Sequence, residues 1–230
     1  MLNLKKFNNE KINTDPFNYI ILNNFVQNDL LNSARDDFPI VPGPGSHPPS
    51  RLKIEGGFKL LVEELLGDEF RTIIERKFDV NLEDKPTMYT VRGFCRAKDG
   101  QIHTDSESKI ITVLLYMNDD DWPSDKGRLR LLSNNKNLEE YFDEVEPKGG
   151  TVLIFQRSDN SWHGHYSFTG QRRVIQLNWV LNDGIVEREQ GRHSFSSKVK
   201  EFFGKFAEEV ADTAPESSEE DDAAAGVSVH

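Results

Sequence analysis

Residues 172–181 read RRVIQLNWVL, and on an extended chain their side chains divide by parity. Arg172, Val174, Gln176 and Asn178 share one face, and Arg173, Ile175, Leu177 and Trp179 share the other. Working outward, the same two-residue period begins near residue 86. It runs through TMYTVRGFC (87–95), KIITVLLYMN (109–118), GRLRLLS (127–133), GGTVLIFQ (149–156) and SWHGHYSF (161–168). Each run is short, apolar or alternating, and bounded by Asp, Asn, Gly or Pro, which is the pattern of a barrel or sandwich of antiparallel strands. Residues 86–182 therefore read as an all-β core, with the stretch 159–173 as strand, turn, strand.

The N-terminal part, residues 1–85, reads as a support region. FNYIIL (17–22) has the look of a short strand, and QNDLLNSARDDF (27–38) that of a helix stopped by Pro39. The Pro/Gly cluster 39–50, PIVPGPGSHPPS, can form neither helix nor central strand and is expected to be a loop or flap. Residues 57–78 place Phe58, Leu61, Leu65 and Ile73 at helical spacing, predicting one helix or two broken near Gly67. After Asp183 the pattern is helical again to residue 212, with Val199, Phe202, Phe203 and Phe206 expected to pack on the core. The tail 213–230 carries Glu216, Glu219, Glu220, Asp221 and Asp222 with no basic residue and reads as solvated and disordered.

Composition limits the function. A chain of 230 residues with 36% apolar side chains can bury one sizeable core. A net charge of -11 and the lack of a Lys/Arg cluster argue against holding nucleic acid. The single cysteine, Cys95, excludes an intramolecular disulfide and any multi-cysteine zinc site. With no apolar run of membrane-spanning or signal-peptide length, a cytoplasmic soluble protein is expected, its oligomeric state open.

His103 and Asp105 stand at i and i+2, so on a strand both leave the same face and can bind one divalent metal. The pair needs a third ligand, and 60 residues later His163 and His165 both offer one. Two histidines and one carboxylate on one face of an octahedron match the non-haem Fe(II) oxygenases. Zinc fits less well, since structural zinc takes a closed tetrahedral set and the chain lacks the thiolates to complete it.

The ordered set HTD, TVLLYMN, GRLRLL, VEPKGGTVLIF and SWHGHYSFTGQRRVIQLNW resembles the catalytic core of Fe(II)/2-oxoglutarate-dependent oxygenases of the prolyl 4-hydroxylase type over residues 86–182. The resemblance implies a double-stranded β-helix, or jelly roll of cupin-like form, flanked by helices. It implies Fe(II) on His103, Asp105 and His163, selecting His163 because Pro147, His163 and Arg172 keep the family's spacing. It further implies 2-oxoglutarate as cosubstrate, with Arg172 and Tyr116 on its distal carboxylate, and admits ascorbate as a reductant. A guanidinium fork suits that carboxylate. The implied reaction is hydroxylation of an unactivated C–H bond, since halogenases of this fold replace the carboxylate that Asp105 retains. A peptidyl substrate with proline leading is implied, but the position where prolyl hydroxylases place an aromatic beside the substrate holds Asn178. A small metabolite, such as a free amino acid or a sugar-linked intermediate, is the alternative, and a non-catalytic β-helix binding module is a third reading.

Other polar residues have plainer readings. His165 shares parity with His163 and is either a site contact or a hydrogen-bonded structural group, and Gln176 either reaches the cosubstrate or, more simply, is a polar group satisfied inside the barrel. His47, His193 and His230 are expected at the surface, and Arg173 on the outer or helix-contacting face. Arg128 and Arg130 share a face that either lines the site mouth, where they would take an anionic substrate, or is solvated.

Overall fold

The computed structural model describes residues 1–187. The C-terminal helix and acidic tail expected beyond this point lie outside the described residues, as do His193 and His230. Along the chain run α1 (Leu4–Asn9), β1 (Tyr19–Leu22), α2 (Asn28–Asp36), a 3-10 turn (Pro49–Arg51), α3 (Gly56–Leu65) and α4 (Asp68–Phe78). The β part follows: β2 (Thr87–Cys95), β3 (Lys109–Tyr116), β4 (Leu129–Leu132), β5 (Tyr141–Val145), β6 (Val152–Gln156), β7 (His163–Gly164) and β8 (Gly170–Val180). Of the two alternatives for 57–78, the chain takes two helices, with Gly67 capping α4.

Five strands form one antiparallel sheet in the order β1-β6-β3-β8-β2, and three form a second in the order β5-β4-β7. Alternation on the large sheet sorts two cores. Ile111, Val113, Ile175, Leu177 and Trp179 turn toward the helices, where they join Phe7, Phe25, Phe58 and Phe70. Tyr116, Leu153, Phe155 and Val174 turn the other way and meet Leu129, Leu131 and Val145 of the small sheet. This is the layering of a double-stranded β-helix with helices on one outer face. Trp179 is almost wholly buried, 6.3 Å from the Phe70 ring, so one large aromatic ties β8 to α4.

Several expectations need correction. The run 161–168 is a strand only at His163 and Gly164, because it pairs with β4 for two residues and then leaves the sheet. β5 is short, its Tyr-Phe and Val interrupted by Asp143 and Glu144 and only Val145 buried, and so gave no clear strand signal; α1 is only six residues long and buries Phe7 alone. His47 is buried, not superficial, since the loop 39–50 lies along β2 with His47 bridged to Val91 through both backbone hydrogen bonds. Arg128 and Arg130 face away from the barrel. Their neighbours Leu129 and Leu131 fill the inner core, while Arg130 Nε donates to Glu144 at 2.7 Å and Arg128 Nη2 to Glu146 at 3.1 Å. Arg173 lies on the helix side as expected, its guanidinium 4.9 Å from the Phe38 ring centre.

Candidate active site

His103 precedes β3 in an irregular segment, and the backbone brings it to β7. The amide of each of His103 and His163 donates to the other's carbonyl at 3.0 Å, an antiparallel bridge that sets the imidazole rings 4.4 Å apart. Asp105, two residues on, points to the same side. Ligand atoms of His103, Asp105 and His163 all lie within 4.8 Å of one another.

Both histidines are held alike. His103 Nδ1 is 2.8 Å from the Gln101 carbonyl and His163 Nδ1 is 2.9 Å from the Ser161 carbonyl. A carbonyl only accepts, so Nδ1–H donates and Nε2 keeps its lone pair for a metal. Burial, partly opposed by the nearby Asp105 carboxylate, takes the His163 pKa down to about 4 and keeps the ring neutral. Asp105 is the converse case. Burial raises its pKa, but the Lys109 ammonium, His163 and the Thr112 hydroxyl outweigh that and hold it at about 2. Lys109 Nζ donates to Asp105 Oδ1 at 2.9 Å and Thr112 Oγ1 to Oδ2 at 2.5 Å. Asn178 Nδ2 donates to Thr112 Oγ1 at 2.8 Å, which orients that hydroxyl. Two neutral imidazoles and a carboxylate kept ionised are a donor set that fits Fe(II).

Two cavities meet at this group, both lined by His103, Asp105 and Gln176. The first, about 140 Å³, runs inward between Leu114, Leu129, Val174 and Arg172. Arg172 is 5% exposed, donates through Nε to the Gly127 carbonyl at 2.9 Å and through Nη2 to Tyr116 Oη at 3.3 Å. Among the described residues no carboxylate lies within 4.0 Å of its guanidinium, so a permanent charge faces the cavity without a protein counter-ion. Tyr116 is fully buried, and burial, partly offset by Arg172, raises its pKa, so the phenol stays protonated. The second cavity, about 260 Å³, lies on the other side of Asp105, between Ser46 of the loop, Thr90, Lys109, Asn178 and Ile185.

His165 does not join the metal group. It lines the first cavity with its Nδ1 2.9 Å from the Tyr166 carbonyl and Nε2 3.9 Å from Cys95 Sγ. Burial first, then Arg172 and Arg92, take its pKa to about 3, so it is a neutral wall. Gly100 makes room for it. At φ +92°, a Cβ there would overlap the His165 ring and stand 2.7 Å from its carbonyl oxygen. Gln176 lines both cavities, its amide 3.4 Å from Asn178 Oδ1, rather than being packed away.

Sequence reasoning missed three participants. Arg92 lines the first cavity, anchored to Ser46 Oγ at 3.2 Å and 3.8 Å from Asp99; its parity with Met88 and Thr90 on β2 was the available signal. Lys109 and Thr112 stand four and seven residues after Asp105, spacings that carry no message until the chain turns into β3.

No curated protein sequence matches the chain. A family model described as the 2OG-Fe(II) oxygenase superfamily matches residues 90–181. Among solved structures, a prolyl-4-hydroxylase from Pseudomonas putida is 19% identical with a TM-score of 0.48, over 70% of this chain and 85% of that one. Prolyl 4-hydroxylase from Phytophthora capsici is 15% identical with a TM-score of 0.50, over 70% of this chain and 58% of that one. A prolyl hydroxylase from Trichoplax adhaerens, in complex with a hypoxia inducible factor oxygen degradation domain peptide fragment, is 15% identical with a TM-score of 0.49, over 83% and 90%. The stretch that is similar to the 2OG-Fe(II) oxygenase superfamily, residues 90–181, is also the stretch that carries His103, Asp105 and His163.

Proposed function

We propose that His103, Asp105 and His163 hold the iron, that Arg172 and Tyr116 hold the distal carboxylate of 2-oxoglutarate, and that the enzyme hydroxylates an unactivated C–H bond of a small polar molecule. The observation that carries this reading is the junction of two cavities at one His–Asp–His group, one of them ending on a buried, uncompensated arginine. Fe(II) with 2-oxoglutarate supplies the oxidising chemistry, dioxygen being consumed as the cosubstrate becomes succinate and carbon dioxide.

The protein's own part is binding and order. The Gly127 carbonyl and Tyr116 fix the Arg172 guanidinium before the cosubstrate arrives, so little is lost in arranging it. Lys109 and Thr112 keep Asp105 ionised and oriented. Leu114, Leu129 and Val174 form the apolar part of the inner cavity wall, which lowers the local dielectric and strengthens the charge interactions inside it.

The sequence expectation puts peptidyl proline first. The second cavity favours a small polar substrate instead, because its wall sets the hydrogen-bonding groups of Asn178, Gln176 and Thr90 alongside a smaller apolar part formed by Met88, Val180 and Ile185. The peptidyl reading remains the alternative.

The test is an anaerobic titration of the purified chain with Fe(II) and 2-oxoglutarate, following the visible charge-transfer band, with His163→Ala and His165→Ala alongside. A band in wild type and His165→Ala that is lost in His163→Ala is the expected result. No band and no iron-dependent succinate release in the wild type would return the chain to the non-catalytic binding-module reading.

A further inference from the structure

The second cavity carries one positive charge that the proposed chemistry uses only to hold Asp105. Lys109 is the only lysine or arginine lining it among the described residues, and its side chain is 16% exposed. Its ammonium has one carboxylate within 4.0 Å, Asp105, whose Oδ1 it meets at 2.9 Å. A divalent cation at the triad draws on that same carboxylate. The ammonium then stands in a mostly enclosed space with its counter-charge shared, an arrangement that costs free energy unless another anion enters.

The cosubstrate is not that anion. Its proposed anchor, Arg172, closes the far end of the first cavity, and Arg92, the other guanidinium there, already has Asp99 at 3.8 Å. Lys109 therefore belongs to the substrate side. Around it stand the hydroxyls of Ser46, Thr90 and Ser106 and the amides of Gln176 and Asn178, with Met88 and Val180 as apolar wall. At about 260 Å³ the space lies just under the ~300 Å³ at which ordinary ligand pockets begin.

Building on the proposed function, we infer that the substrate is a small hydrogen-bonding molecule with one anionic group, carboxylate or phosphate, and that Lys109 binds this group. An ammonium is a point charge without the fork geometry of arginine, so it accepts either anion. The overall charge of -11 does not oppose this, because the charge felt by a ligand at the metal is set by the groups lining the cavity.

The test uses the full chain loaded anaerobically with Fe(II) and 2-oxoglutarate, the charge-transfer band confirming loading before any ligand is added. Matched pairs are then titrated in: N-acetylproline against N-acetylprolinamide, and a hexose phosphate against the free hexose. A saturable change in the band with at least one anionic member, at least about tenfold tighter than its neutral partner, is the expected result. Lys109→Met should abolish that preference and Lys109→Arg should restore most of it. Equal response to both members of each pair, no response to any anionic member, or an undiminished preference in loaded Lys109→Met would each overturn the inference. Failure of the wild type to load would instead sink the proposed function on which it rests. The two pairs separate carboxylate from phosphate, and the wild-type comparison stands even where a variant does not fold.

Discussion

The two faces of the large sheet are made of the same strands and obey different rules. On the helix side, Ile111, Val113, Ile175, Leu177 and Trp179 pack into one apolar cluster with the helices, and what counts there is volume. On the barrel side the alternate residues of the same strands, Thr112, Tyr116, Arg172, Gln176 and Asn178, meet specific partners through directed hydrogen bonds. One face supplies the stability that lets the other hold buried polar and charged groups. A change on the first should cost folding, and a change on the second should cost chemistry.

The sharpest break is His163→Ala, expected to remove iron-dependent succinate release to background while denaturation stays cooperative; loss of cooperative folding together with activity would merge the two faces. On the helix side, Trp179→Ala is expected to cost about 3–5 kcal/mol of unfolding free energy in urea, with the surviving folded protein still able to develop the charge-transfer band. Thr112→Val keeps the shape and removes the hydroxyl that donates to Asp105. An outer-sphere partner of this kind is worth about 10–100-fold in metal affinity, to be read by competition with a chromophoric chelator.

Acidity probes the same division. His163 titrates near 4 in the folded metal-free chain and at its ordinary 6.5 when unfolded, so between these values the unfolded chain binds the extra proton. Stability of the metal-free chain should fall as pH drops from 6.5 to 4. Asp105, held near 2 against an ordinary 3.8, adds a second loss as pH falls from 3.8 toward 2. A flat urea midpoint from pH 7 to pH 4 would contradict the neutral, buried state of His163. The smallest effect is expected outside both faces. Lys59→Gln removes an ion pair with Glu63 on the exposed side of α3 and should change stability by about 1 kcal/mol or less, with unchanged succinate release.

Much of this was legible because strand parity is local. Reading RRVIQLNWVL alone separated Arg172 from Arg173, and the structure puts the first in the inner cavity and the second over Phe38. The break of the 57–78 helix was legible for a similar reason, since Gly67 disfavours helix wherever it stands. β5 and the burial of His47 were not, because both depend on pairing with segments distant in sequence. Arg128 and Arg130 show where local parity stops deciding. Parity joined them on one side, but only the partners of Leu129 and Leu131 decided that this side is the outer one.

The sequence by itself determined the kinds of group available: two spaced histidines with a carboxylate, an arginine at fixed distance from the second histidine, and the face each strand residue shares. Tertiary structure alone decided which groups meet. The pairing of His103 with His163 across 60 residues, the grip of Lys109 and Thr112 on Asp105, and the entry of Arg92 and Ser46 into the cavities all come from strand register and loop packing. Side-chain alternation is fixed by the local geometry of each chain segment, whereas register is set by the sum of contacts over the whole sheet.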